Sequence, residues 1–145
     1  MSKRINIPEV APEAYKALAH LDHKVASSGL DPIHKELIKI RASQINGCAF
    51  CVDMHTRDAR NLGESERRIY AISVWRDTPF FTPEERAILA LTEELTLIQQ
   101  RVSDETYQQA AALFSEQYLG LLFMAIITIN AWNRVGVGTE LQPAL

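Results

Sequence analysis

The chain has 145 residues, 47% of them hydrophobic and 23% charged, with six Gly, six Pro, two Cys and a net charge of -3. That length buries enough surface to build a core without disulfide staples, so disulfide-stapled mini-proteins are excluded and one ordinary soluble domain over residues 1–145 is expected. The balance of 15 Lys+Arg against 18 Asp+Glu lacks the basic excess that phosphate binding uses, which argues against nucleic acid as a partner.

The opening Met-Ser-Lys-Arg-Ile-Asn-Ile-Pro places no apolar run behind its basic residues, so a cytoplasmic location without a secretory signal is expected. Apolar residues then recur at helical spacing, and strand-like alternation is nearly absent. The pattern predicts an all-α bundle with helices at about 11–28, 32–45, 48–62, 64–75, 83–100, 104–114 and 116–135. Asp31-Pro32, the capping-box run Thr82-Pro83-Glu84-Glu85, Ser103-Asp104-Glu105 and Ser115-Glu116 mark helix starts, and Gly29 and Gly63 fit helix ends. The aromatic stretch Trp75 to Phe81 reads as a long connection packed down as a plug or interface, and the tail from Gly136 as irregular.

Leu119 to Trp132 is nearly apolar but carries Thr128 and Asn130 and falls short of the roughly 20 residues of a bilayer span, so a buried helix is expected and no membrane. Because Leu121–Trp132 is apolar almost all round, association into a homo-oligomer would cover it, the alternative reading being the central helix of a monomeric bundle.

Cys48 and Cys51 sit three apart, and His55 follows four residues later. At about 100° per residue the three fall within one arc of about 60°, on the same face as Ala59, while Asp53, Arg57 and Arg60 point away. Asn46-Gly47 breaks two helices just before Cys48, placing it in an opening turn whose unpaired N–H groups favour a thiolate. Glu36 borders the apolar stripe of the preceding helix, with Lys35 and Lys39 expected to point outward, and from there it can hold or deprotonate His55. Two thiols in a reducing compartment point to redox chemistry; two buried small hydrophobes, or a zinc site drawing on Glu36, remain alternative readings. Val52 stands where a covalent haem site needs histidine. His20, His23 and His34 have no partner at a useful spacing, and Glu93-Glu94 diverge on their helix, with solvation as the default for both.

The run Ser43-Gln44-Ile45-Asn46-Gly47-Cys48-Ala49-Phe50-Cys51-Val52-Asp53-Met54-His55, with Glu36 before it and Asp58-Ala59-Arg60 and Gly63 after it, resembles the alkylhydroperoxidase AhpD / carboxymuconolactone decarboxylase-like family. The motif covers residues 33–75, and Ile129-Asn130-Ala131-Trp132-Asn133-Arg134 adds a weaker likeness. The resemblance implies an AhpD-like helical bundle, oligomeric as a dimer, trimer or hexamer, that reduces a small hydroperoxide at the expense of an external dithiol reductant. It implies Cys51 as peroxidatic thiol, Cys48 as the more exposed resolving thiol, and His55 and Glu36 as the proton relay. No metal or organic cofactor is implied. Phe50 stands where the best-studied members carry a further histidine, which shortens that relay. Other classes left by the residues are a decarboxylase or lactone-processing enzyme using His55 and Glu36 without sulfur chemistry, and a non-catalytic helical assembly module.

Overall fold

A computed structural model of the chain describes residues 4–144, and among these residues the regular structure is helical, with no strand. In chain order the α-helices are α1 (Ile7–Val10), α2 (Pro12–Ala26), α3 (Pro32–Asn46), α4 (Ala49–Asn61), α5 (Glu66–Ala71), α6 (Pro83–Thr96), α7 (Asp104–Leu113) and α8 (Glu116–Gly138). Short 3-10 segments follow α5 at Ile72–Asp77 and α6 at Ile98–Gln100.

The expected caps form. The Asp31 carboxylate accepts from the Ile33 and His34 amides at 2.8 and 3.2 Å with Pro32 in the first turn, and Thr82 and Glu85 close a reciprocal capping box on α6. Ser103 and Ser115 cap α7 and α8, and Ser65, which the sequence reading did not single out, caps α5. Each cap pairs backbone donors that a helix start leaves without partners.

Helices α3 and α6 lie at the centre. Ile38 and Ala42 of α3, with Ile88 and Leu91 of α6, pack against Leu122, Ile126 and Ile129 of α8. The opposite flanks, Leu37 and Ile40 of α3 and Leu89 and Ala90 of α6, pack against Ile72, Trp75 and Phe81. A fully buried Leu or Ile contributes roughly 1.5–3 kcal/mol, and both faces of α3 and α6 collect it.

This two-sided burial accounts for several departures from the sequence reading. Lys39 does not point outward: it is buried, with its ammonium 3.3 Å from the Asp22 carboxylate of α2. Lys35 is largely covered too, its ammonium 3.8 Å from Glu36. Glu93 is not solvated; it is buried and accepts from Arg41 at 2.7 Å, from the Trp75 indole at 2.9 Å and from Arg76. Glu94 accepts from the Ser103 amide and the Thr106 hydroxyl, both at 2.7 Å. His34 is held against the Tyr118 hydroxyl at 2.8 Å.

Element boundaries shift for equally local reasons. The helix expected over 64–75 breaks at Ile72 into a 3-10 segment with Val74 off helical geometry (φ -126°, ψ 28°), and that segment carries Trp75, whose indole reaches Glu93. The helix expected to run to 100 stops at Thr96. The tail is not irregular from Gly136 onward, because α8 continues to Gly138 and closes with paired bonds from the Leu141 amide to Gly136 and from the Glu140 amide to Val137. At 23 residues α8 is long and apolar enough by composition alone to cross a membrane, longer than the apolar stretch suggested. Here it packs against α2, α3, α4, α6 and α7, with buried Asn133 tied to α3.

Candidate active site

The junction between α3 and α4 sets the first cysteine. Gly47 adopts the left-handed conformation (φ +70°), which a glycine takes without a Cβ clash, and the Cys48 amide then donates back to the Ser43 carbonyl at 3.0 Å. Cys48 thus ends one helix and caps the next: its sulfur accepts from the Cys51 amide at 3.3 Å, and its carbonyl accepts the Val52 amide at 2.9 Å. The two cysteines are joined as a disulfide with their Cα atoms 5.3 Å apart. Sulfur in this position faces the unpaired N–H groups of the α4 start, where negative charge is stabilised once the bond is reduced.

Helix α4 carries Cys51 and, one turn later, His55 on the same buried face. Glu36 of α3 lies opposite. The His55 Nδ1–H donates to Glu36 Oε2 at 2.9 Å, which leaves Nε2 as the basic nitrogen. Asp58, at the exposed rim, has a carboxylate oxygen 3.7 Å from the same Nδ1. The four expected site residues thus form two pairs, the Cys48–Cys51 disulfide and the Glu36–His55 hydrogen bond, and all are buried: Glu36 is 4% exposed, Cys48 2%, Cys51 3% and His55 5%. One expectation is overturned, since Cys48 is no more exposed than Cys51. It is pressed against α8, whose Gly136 leaves so little space that a Cβ there would lie 2.7 Å from the Cys48 sulfur and 3.5 Å from the Cys51 sulfur.

Cys51 and His55 open instead onto a cavity of about 530 Å³ between α4, α8, α2 and the N-terminal segment. Tyr15, Phe50, Met54, Trp132 and Val135 form its inner wall, and Ile5, Ile7 and Pro8 its outer one. Tyr15 meets Trp132 edge to face at 5.2 Å. The N-terminal segment is held at its start by an exposed ion pair, Arg4 to Glu140 at 2.8 Å.

A polar ladder fixes α8 against the cysteine helices. The Asn133 amide donates to Ser43 Oγ at 2.9 Å, while the Asn46 amide donates to both Asn133 and Asn130 at 2.9 Å. The same Ser43 offers its carbonyl to Cys48, so the ladder and the disulfide share an anchor. The sequence reading missed Gly136, Asn133 and Asp22. A signal was present for two of them, because Asn130, Asn133 and Gly136 recur every three residues along an otherwise apolar helix.

Residues 12–94 match the family model for the carboxymuconolactone decarboxylase family. The chain belongs to that family. The uncharacterized protein YdfG of Bacillus subtilis is 44% identical over 138 residues, covering 94% of each chain. The uncharacterized protein YnjA of Escherichia coli is 33% identical over 92 residues, 63% of this chain and 50% of its own. Among solved structures, an Agrobacterium tumefaciens protein of unknown function, provisionally named as antioxidant defence protein AhpD, superposes with a TM-score of 0.96 at 43% identity over 99% of both chains. The debrominase Bmp8 superposes with a TM-score of 0.83 at 19% identity over 92% of this chain and 72% of its own, a likeness of fold alone. The all-helical AhpD-like architecture of this carboxymuconolactone decarboxylase family member is thereby established, together with a Cys-x-x-Cys pair at its centre.

Proposed function

We propose that the protein is a thiol-dependent peroxidase. The observation that carries this reading is the pairing of Cys48 and Cys51 at the start of α4, with Cys51 and the Glu36-held His55 lining one apolar cavity. His55 Nε2 takes the Cys51 thiol proton, and Glu36 holds the ring and balances the imidazolium that forms. The thiolate attacks the hydroperoxide ROOH, the O–O bond breaks, and the alkoxide leaves as ROH with the proton from His55; Cys51 is oxidised to a sulfenic acid. Cys48 then attacks that sulfur, water leaves, and the disulfide forms. An external dithiol returns two electrons and two protons and departs as its own disulfide.

The same reading places the protein in the cytoplasm as a homo-oligomer, whose contacts would cover exposed apolar residues such as Ile127 of α8. The family's decarboxylase name favours a second reading in which His55 and Glu36 act without sulfur.

Hydroperoxide consumption with dithiothreitol tests these readings. Wild type should turn over, Cys51→Ser should be inactive, and Cys48→Ser, pre-reduced and freed of dithiothreitol, should consume about one equivalent and stop. Undiminished turnover by Cys51→Ser overturns the peroxidase reading.

A further inference from the structure

Nδ1 of His55 has two carboxylates within reach. Glu36 Oε2 of α3 stands 2.9 Å from it and Asp58 Oδ2, three residues on along α4, stands 3.7 Å from it; the three side chains offer ligand atoms that all lie within 4.8 Å of one another. Ligands on a tetrahedral zinc ion, each about 2.0–2.2 Å from the metal, are roughly 3.3–3.6 Å apart, so the two shorter separations bracket the requirement and side-chain shifts of about 0.5 Å meet it. Glu36 and His55 are buried, which strips water from an ion held between them, while the Asp58 side chain is 51% exposed and gives that ion a way in. The other oxygen of Glu36, Oε1, accepts no hydrogen bond among the described residues, because the Lys35 ammonium at 3.8 Å is beyond that reach. A buried carboxylate is thus left with coordination to spare. The sulfurs take no part, being bonded to each other. One imidazole nitrogen with two carboxylates suits zinc and its divalent transition-metal neighbours better than the all-oxygen preferences of calcium or magnesium.

We propose that Glu36, His55 and Asp58 form a binding site for a divalent transition ion of the zinc type, and that the ion switches off His55 as a base. Coordination at Nδ1 displaces its proton to solvent, and the neutral ring then carries its single proton on Nε2, the nitrogen that otherwise receives one. Lys35 opposes the ion through its charge. The site itself does not depend on the peroxidase reading above; the inhibition does.

Zinc chloride titrated calorimetrically into the full-length disulfide form, where no thiol competes, tests the site. One equivalent should bind, Asp58→Asn should weaken binding by about tenfold or more, and Lys35→Gln should tighten it. Nitrogen-15 NMR should show the His55 proton moving from Nδ1 to Nε2 as zinc is added. Absence of stoichiometric binding overturns the inference, as does binding that Asp58→Asn leaves unchanged. So does binding lost instead in a His20→Gln, His23→Gln double variant, since those exposed histidines of α2 are competing ligands. In protein pre-reduced and freed of dithiol, one equivalent of zinc should slow hydroperoxide consumption several-fold in the wild type and less in Asp58→Asn, a difference that coordination by the sulfurs alone does not give. Equal slowing of the two overturns the inhibitory role. Binding and the proton shift in a protein that consumes no hydroperoxide even without zinc leave the site standing and overturn the peroxidase reading instead.

Discussion

His55 faces two partners with different demands, and the structure divides its ring between them. Nδ1 is committed to Glu36, so Nε2 alone is free to exchange a proton at the cavity. On the peroxidase reading proposed above, replacing His55 by Gln removes the proposed base and should lower peroxide turnover by about 10²–10⁴-fold. Glu36→Gln keeps an acceptor for Nδ1–H but not the balancing charge, so its loss should be smaller, read from steady-state rates with one dithiol. Gly136 acts on the sulfurs by what it lacks. A methyl group there would meet Cys48 at 2.7 Å, and a disulfide cannot swing aside as two free thiols can. Gly136→Ala should therefore destabilise the oxidised form more than the reduced one, by about 1–3 kcal/mol, and move the dithiol equilibrium toward reduction by about 20–60 mV. Titration against a dithiothreitol redox buffer checks the direction; a shift toward the disulfide would contradict it.

The helices were largely legible from the sequence because their ends are written in local chemistry. Asp31-Pro32, Thr82 to Glu85, Ser103 and Ser115 each occupy the cap that the residue type requires. Cys48, Cys51, His55 and Glu36 could be brought together because helical period and one glycine-terminated turn suffice to place them. Lys39 and Glu93 could not be placed that way. A period separates two faces of a helix but does not say that a second layer covers the supposedly outer one, as happens to α3 and α6. The three-residue recurrence of Asn130, Asn133 and Gly136 marks a face of α8, but the role of Gly136 depends on a sulfur contributed by another part of the chain, which no period within α8 discloses. The polar ladder between α3 and α8 belongs at this scale. Asn133→Ala would strip a fully buried amide and leave part of Asn46 and Ser43 without partners, and should cost about 2–4 kcal/mol in urea unfolding. Because Ser43 also anchors Cys48, the loss should be accompanied by a changed rate of disulfide reduction.

Across the whole molecule, charge is used to bind segments that apolar packing leaves at the margin. Burial pushes the Glu93 carboxyl up, but hydrogen bonds from Arg76, Trp75 and Arg41 outweigh it and hold the group below its ordinary value. Glu94 is likewise held low, burial being outweighed by the bonds from Ser103 and Thr106. For such groups the unfolded chain takes up protons first as pH falls, so their stabilisation is present at neutrality and is lost in acid. The urea midpoint should fall as pH drops below about 5, and Glu93→Gln should lower the neutral midpoint while flattening that acid limb. A Glu93→Gln protein with an acid limb as steep as the wild type would count against this assignment.

The two sides of the cavity differ in how firmly they are held. Its inner side belongs to α4 and α8, locked by the buried asparagine ladder and by sulfur seated against Gly136. Its outer side belongs to α1, four residues with none buried, fastened through a solvent-exposed ion pair of the kind worth about 0–1 kcal/mol and weakened by salt. The inner wall of the cavity is thus fixed by buried polar bonds, while the outer wall rests in part on a contact that rising ionic strength weakens.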